Sequence, residues 1–151
     1  MEYRIATIDD IEILTKSRIE VLKAANKLTD DTDRSEVEKA SRDYYLRALV
    51  DGSHTAVLVF DNDKFIGAGA VSYYQVMPTY HNPSGKKAYI MNMYTNPEYR
   101  RQGIAFKTLN ILVNDAKKRG ITQIYLEATD MGKPLYEKYG FTIMPSEMEL
   151  K

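Results

Sequence analysis

Residues 88–119 limit the fold more than any other stretch of the chain. Ala88-Tyr89-Ile90-Met91-Asn92-Met93-Tyr94-Thr95 reads as a buried strand. A tight basic loop follows, Asn96-Pro97-Glu98-Tyr99-Arg100-Arg101-Gln102-Gly103. Ile104, Thr108, Leu109, Leu112, Val113 and Ala116 then recur at spacings of three and four, which is one face of an amphipathic helix over 102–119. The first turn of a helix has unpaired N–H groups and the positive end of the helix dipole. A glycine loop aiming several N–H groups outward at such a point suits phosphate. Gly103 has no Cβ and admits close approach to the backbone, while Arg100 and Arg101 add charge. Read alone, the loop is equally a helix start with no ligand.

The surrounding pattern fixes the class. Residues 2–8 alternate as a first strand, and Thr7 or Asp9 can cap a helix running to about residue 25. A polar, acidic segment precedes a second helix over 34–50, ended by Asp51-Gly52. Residues 54–60 and 65–76 form an antiparallel hairpin across the Asp61-Asn62-Asp63 turn. Residues 77–86, with Pro78, Pro83 and Gly85, form a long loop of the kind that often acts as a lid. After the helix come a strand at 121–129, a short helix at 131–139 closed by Gly140, and a closing strand or hairpin within 141–150. The order is β-α-α-β-β-β-α-β-α-β(β), an α/β (α+β) fold with a central mixed sheet of six to seven strands flanked by about four helices. Strands 87–95 and 121–129 are joined by a right-handed crossover and are therefore parallel. Ligands in such sheets collect beyond the carboxyl ends of parallel strands, here between Thr95 and Thr129.

Composition removes several function classes. The 151 residues make one domain, 1–151, that buries roughly two thirds of its unfolded surface. Its 21 basic and 21 acidic residues cancel, which argues against a nucleic acid or an anionic membrane as partner. The absence of cysteine excludes thiolate metal sites and a cysteine nucleophile, and it fits a reducing, cytoplasmic setting. Two separated histidines, His54 and His81, give little support for a metal site or a histidine triad. No run of about 18 apolar residues suggests a membrane span. Gly67-Ala68-Gly69-Ala70 lacks a third glycine and a following helix, so it reads as a strand with small residues for close packing, not as a dinucleotide fingerprint.

Two motifs together carry a resemblance. Arg100-x-x-Gly103-x-Ala105, within Met93 to Ala105, resembles the Arg/Gln-x-x-Gly-x-Gly/Ala loop of the GNAT superfamily of acyl-CoA-dependent N-acyltransferases. Pro134-Leu135-Tyr136-Glu137-Lys138-Tyr139-Gly140-Phe141 resembles its later Leu-Tyr-x-x-x-Gly-Phe motif. The resemblance implies an N-acetyltransferase that takes acetyl-CoA as co-substrate, uses no metal, and transfers acetyl directly to a primary amine of a small molecule or peptide. Arg100 and the N–H groups of Arg101, Gln102, Gly103, Ile104, Ala105 and Phe106 would hold the pyrophosphate. Met93, Tyr94 and Thr95 would pair with the pantetheine arm as an added strand does. A backbone N–H of Tyr94 or Thr95 would face the oxyanion.

Tyr136 stands where the family keeps its general acid, and a phenol of ordinary pKa near 10 matches a thiolate of comparable basicity. It reads equally as a core aromatic, while Tyr139 reads as packing. Many relatives carry a glutamate on the strand before the loop, where this chain offers only Asn92. Glu127 is the nearest alternative base and reads as well as a solvated glutamate; His81 is a further candidate. Tyr73, Tyr74 and Tyr80 can line an acceptor pocket or cover the sheet. The cluster Asp30, Asp31, Asp33, Glu36 and Glu38 can attract a cationic amine or serve a helix N-terminus. A homodimer through the C-terminal strands is implied by the resemblance alone. Two rivals remain open: a non-catalytic acyl-CoA-binding regulatory module, and a phosphosugar or nucleotide enzyme.

Overall fold

The computed structural model describes residues 1–27, 29 and 33–151. Five strands and four helices follow the expected order: β1 (Glu2–Ile5), α1 (Ile11–Asn26), α2 (Ser35–Asp51), β2 (His54–Asp61), β3 (Lys64–Gln75), β4 (Lys86–Thr95), α3 (Ile104–Lys118), β5 (Gln123–Leu126) and α4 (Lys133–Tyr139). The sheet runs β1-β2-β3-β4-β5. The first three pairings are antiparallel and β4–β5 is parallel. Among the described residues no helix is long and apolar enough to cross a membrane.

Alternation along β2 explains the layers. Val57 and Val59 point to one face, where α3 lays Ile104, Leu109, Leu112, Val113 and Ala116 against them together with Ile66, Val71, Ala88 and Ile90. Ala56, Leu58 and Phe60 point to the other face, against Leu14 of α1 and Tyr45 of α2. A strand covered on both faces reads as an unbroken apolar run, and β2 is buried from His54 to Phe60. Each such Leu or Val withdrawn from water contributes about 1.5–3 kcal/mol. The C-terminal end of α3 is tied to the hairpin by polar groups. The Asp115 carboxylate accepts from Thr55 Oγ1 at 2.8 Å and from Tyr73 Oη at 2.5 Å, and Arg119 lies over the Tyr73 ring.

The small residues of β3 have a packing role. Asn92 and Met93 of β4 together face the single residue Gly69, a β-bulge, and Asn92 sits in the left-handed region at φ +56°. A Cβ on Gly69 would fall 2.6 Å from Thr108 Cγ2 and 2.7 Å from Met93 Sδ. Glycine is what lets α3 lie close over the bulge. The bulge turns β4 away from β5, so the β4–β5 ladder ends at Ile90 opposite Leu126.

Four expectations are corrected. The strand expected over 121–129 spans only 123–126: Ile121 is held back by its N–H bond to Ala116 O at the end of α3, and beyond Leu126 its neighbour has turned away. The sheet has five strands among the described residues, not six to seven. Residues 141–150 form no closing strand: the four-residue β5 offers a short edge, and Pro145 lies in a turn where it cannot donate to a ladder. The loop at 77–86 is stapled and is no free lid. Buried Asn82 donates to Lys86 O at 2.9 Å and Gln123 Oε1 at 3.1 Å, and Thr79 and Asn82 exchange backbone bonds. Of the two expected caps before α1, Thr7 takes the N-cap position of the leading 3-10 turn, and Asp10 accepts its N–H at 2.9 Å.

Gly69→Ala should destabilise the protein by about 1–3 kcal/mol, because the added methyl overpacks a site fixed on three sides. Thr108 cannot swing clear without breaking its 2.8 Å bond to Ile104 O. Urea unfolding measures the shift; an unchanged midpoint would remove the close-packing role from Gly69.

Candidate active site

Two surfaces meet at β4. On the first, the loop after β4 is fixed on its inner side. Asn96 N–H donates to Ile66 O at 2.7 Å, and Asn96 Oδ1 accepts the Glu98 N–H at 2.9 Å. Tyr99 donates its hydroxyl to Asp61 at 2.8 Å, tying the loop to the β2–β3 turn. Its outer side is open. Arg101 (φ +64°) and Gly103 (φ +79°) are left-handed, and a Cβ on Gly103 would meet nothing within 4 Å. These two conformations delay the helix, which begins at Ile104 instead of residue 102. Its first backbone bond runs from Lys107 N to Gly103 O, and no side chain caps the turn. The N–H groups of Ile104, Ala105 and Phe106 are left for an external acceptor, beside exposed Arg100, Arg101 and Gln102.

Next to this turn is the free edge of β4. Met93, Tyr94 and Thr95 lie beyond the last β5 pairing. Thr95 Oγ1 is buried there with no partner among the described residues. Tyr136 approaches from α4. Its ring belongs to the α3-side core, meets Phe141 edge-on, and is 9% exposed; burial pushes the phenol above its ordinary pKa. Tyr139 donates to Asn110 Oδ1 at 2.7 Å and packs on Phe106 and Phe141, so it does serve packing.

The second surface lies on the opposite face of the sheet, under α1 and α2. A cavity of about 240 Å³ is lined by Arg18, Tyr44, Tyr45, His54, Met91 and Asn92, with Ala40 and Ser41. Arg18 Nη1 donates to Asn92 Oδ1 at 2.8 Å, so the bulge residue is gripped from α1. His54 is buried; its Nδ1 is 3.0 Å from Tyr44 Oη and 3.2 Å from Ser72 Oγ, and its Nε2 has no partner among the described residues. Burial first, and then the Arg18 charge, push the His54 pKa down from 6.5 to about 4, so the ring is neutral at pH 7. Next along this row is Tyr89, the register partner of Ser72. Its phenol is pushed up by burial and then by Glu127.

Comparison with known proteins decides the family. The model of the acetyltransferase (GNAT) family matches residues 22–141. The chain belongs to the GNAT acetyltransferase family. It is an acyltransferase by that membership, and its mixed sheet matches the fold. A crystal structure of a predicted acetyltransferase from Clostridium acetobutylicum, determined with acetyl-CoA, is 35% identical at a TM-score of 0.89, covering 99% of this chain and 95% of that one. A GCN5-related N-acetyltransferase from Ralstonia eutropha is 27% identical at a TM-score of 0.82, covering 99% and 97%. The Danio rerio protein N-alpha-acetyltransferase 50 is 28% identical over 109 residues, 70% of this chain. The chain spans 61% of that relative's length.

Within this GNAT chain, Ile104 at the head of α3 and Tyr136 of α4 belong to one core cluster, with Met93 of the β4 edge packed against it. Glu127 lies past the end of β5, exposed and beside Tyr89. His81 is exposed on the stapled loop. Tyr73 is committed to Asp115 on the other face, and Tyr80 is 103% exposed, so neither lines the cavity. Asp30 and Asp31 lie outside the described residues; Asp33 caps α2 through Ser35, with Glu36 and Glu38 in its first turn. The sequence reading missed Arg18, Tyr44 and the site role of His54. One signal was present: Arg18 falls between Leu14 and Val21 at spacings of four and three, on the stripe that faces inward.

The depressed His54 pKa makes stability depend on pH. The unfolded state binds the proton more readily, so this contribution is whole above pH 6.5 and is lost as pH falls from 6.5 toward 4. Wild type should lose about 1–2 kcal/mol more than His54→Gln between pH 7 and pH 5. Parallel urea titrations measure this; equal losses would mean that His54 titrates normally.

Proposed function

We propose that residues 1–151 form one N-acetyltransferase domain that moves the acetyl group of acetyl-CoA directly onto a primary amine of a small molecule or peptide, in a ternary complex. The observation carrying this reading is the parting of β4 from β5 at the bulge, beside an uncapped basic helix N-terminus. A phosphate-bearing chain needs both features: amide donors for its charge and a free strand edge for its arm. The acetyl-CoA present in the Clostridium acetobutylicum relative supports the choice of donor.

Each residue then has a physical task. The N–H groups of Arg101 to Phe106 hold the pyrophosphate, with Arg100 and Arg101 adding screened surface charge. The edge at Met93, Tyr94 and Thr95 pairs with the pantetheine arm, and the Tyr94 or Thr95 N–H meets the carbonyl oxygen as it gains charge. The amine nitrogen forms the C–N bond and the C–S bond breaks. The thiolate takes a proton from Tyr136, which burial keeps protonated at working pH. The amine proton leaves toward Glu127, directly or through water. Asn92 is held by Arg18, so the strand position that carries a glutamate in many relatives supplies no base. That substitution also favours a second reading, an acyl-CoA-binding module without turnover.

Tyr136→Phe should lower kcat by about 10²-fold or more, the lower range for a lost general acid, with acetyl-CoA affinity changed less than about twofold. Thiol release over an amine panel measures it. Unchanged turnover on a good acceptor removes Tyr136 as the acid, and acetyl-CoA binding without thiol release on any amine supports the second reading.

Gly103→Val forces a branched side chain into a left-handed conformation at the phosphate loop. It should weaken acetyl-CoA binding by about tenfold or more, the equivalent of roughly 1.4 kcal/mol. Calorimetric titration checks this, and wild-type affinity would remove the loop from the binding site.

A further inference from the structure

The cavity under α1 and α2 offers an unusual set of polar groups. Arg18 spends one nitrogen on Asn92 and makes no ion pair among the described residues. Asn92 Oδ1 is taken by that bond, which leaves its amide N–H groups as donors. Tyr44 Oη and Ser72 Oγ both stand within hydrogen-bond reach of His54 Nδ1, while the buried Nε2 has no partner among the described residues. No carboxylate lines the cavity. A second cation stands at its edge, where Arg47 lies 5.6 Å over the Tyr44 ring. Of the carboxylates around it, Glu12 of α1 is committed to Arg42, while Glu20 of α1 acts on Tyr94 and Glu127 on Tyr89, all outside the cavity lining.

A site of donors with a net positive charge rejects an acceptor that is only cationic and suits one that also carries an acceptor-only anion. We infer that this cavity binds a carboxylate carried by the amine substrate itself, with Arg18 as its charge partner and Asn92 beside it, so that the preferred acceptors are small amino acids or other short amino carboxylates. This rests on the acetyltransferase reading above and names the substrate class of its acceptor side. The position agrees with the size. Asn92 and the Tyr94 N–H are only two residues apart across the bulge, a short span that a molecule with few bonds between carboxylate and amine can cover. The guanidinium donors left on Arg18 can hold a carboxylate through two parallel bonds.

The test compares acceptors that share one aminoethyl unit: β-alanine, propylamine and phosphoethanolamine, followed by thiol release from acetyl-CoA. Wild type should favour β-alanine over propylamine by about 10- to 100-fold in kcat/KM, mostly through KM, the range of one charge-assisted contact. Arg18→Gln should raise KM for β-alanine and erase that preference, and Arg18→Lys should restore part of it. Thermal stabilisation by acetyl-CoA shows that each variant is folded. Acetylation of all three amines alike overturns the inference while leaving the acetyltransferase reading intact. A preference for phosphoethanolamine overturns the carboxylate assignment. A second readout does not depend on turnover: propionate alone should shift the His54 ring signals in NMR spectra of wild type and not of Arg18→Gln. No shift up to high propionate overturns the inference, even if acetyl-CoA fails to react with any amine.

Discussion

The whole site depends on one irregularity in β4. Two residues, Asn92 and Met93, stand opposite Gly69, and the strand twists out of register. Without that bulge β4 and β5 would stay laddered to their ends and there would be no free edge. The bulge is possible because each residue fits its task. Asparagine enters the left-handed region at less cost than most residues, since its short amide can bond locally. Here that amide is held from α1 by Arg18. Glycine opposite leaves room for Met93, Thr108 and Leu112, so α3 can settle over the gap. The helix with the uncapped N-terminus is thus positioned by the same feature that opens the strand.

Under the acetyltransferase reading proposed above, this arrangement separates the two halves of the chemistry by face. The donor side is built from backbone: amide groups of a helix turn and a strand edge, with little dependence on side-chain identity beyond Gly103. The acceptor side is built from side chains of α1, α2, β2 and β4 that meet across the sheet. Backbone recognition constrains a short sequence to a fixed spacing. Side-chain recognition needs only that distant positions meet in space. That difference explains why one co-substrate is written in a contiguous motif and the other is scattered.

Legibility in the sequence followed the same division. The strand–loop–helix at 88–119 and the segment around Tyr136 were readable because their function is local. The order of elements was readable from periodicity, and the small residues of β3 were rightly read as packing. Errors came where a neighbour, and not the segment itself, sets the outcome. Residues 121–129 have a strand-like composition, yet β5 ends at Leu126 because its partner departs. Residues 77–86 look like a lid by length and proline content, yet one buried asparagine staples them. Met148 and Leu150 stand at strand spacing but stay exposed, as does Ile143, having no edge long enough to join.

The acceptor cavity shows how buried polar groups tell about a missing partner. His54 begins an apolar strand and sits under two tyrosines; a histidine there would ordinarily be satisfied at both nitrogens, because an unpaired buried donor costs about 1–3 kcal/mol. Here one nitrogen is satisfied and the other is not. Arg18 lies on the inward stripe of α1, where a leucine would pack and contribute apolar burial instead. Neither residue favours the folded state as well as an apolar one would. The carboxylate proposed above would supply the polar, negatively charged group that completes them. Stability given up at this point is the expected signature of a site shaped for a ligand and not for the fold alone.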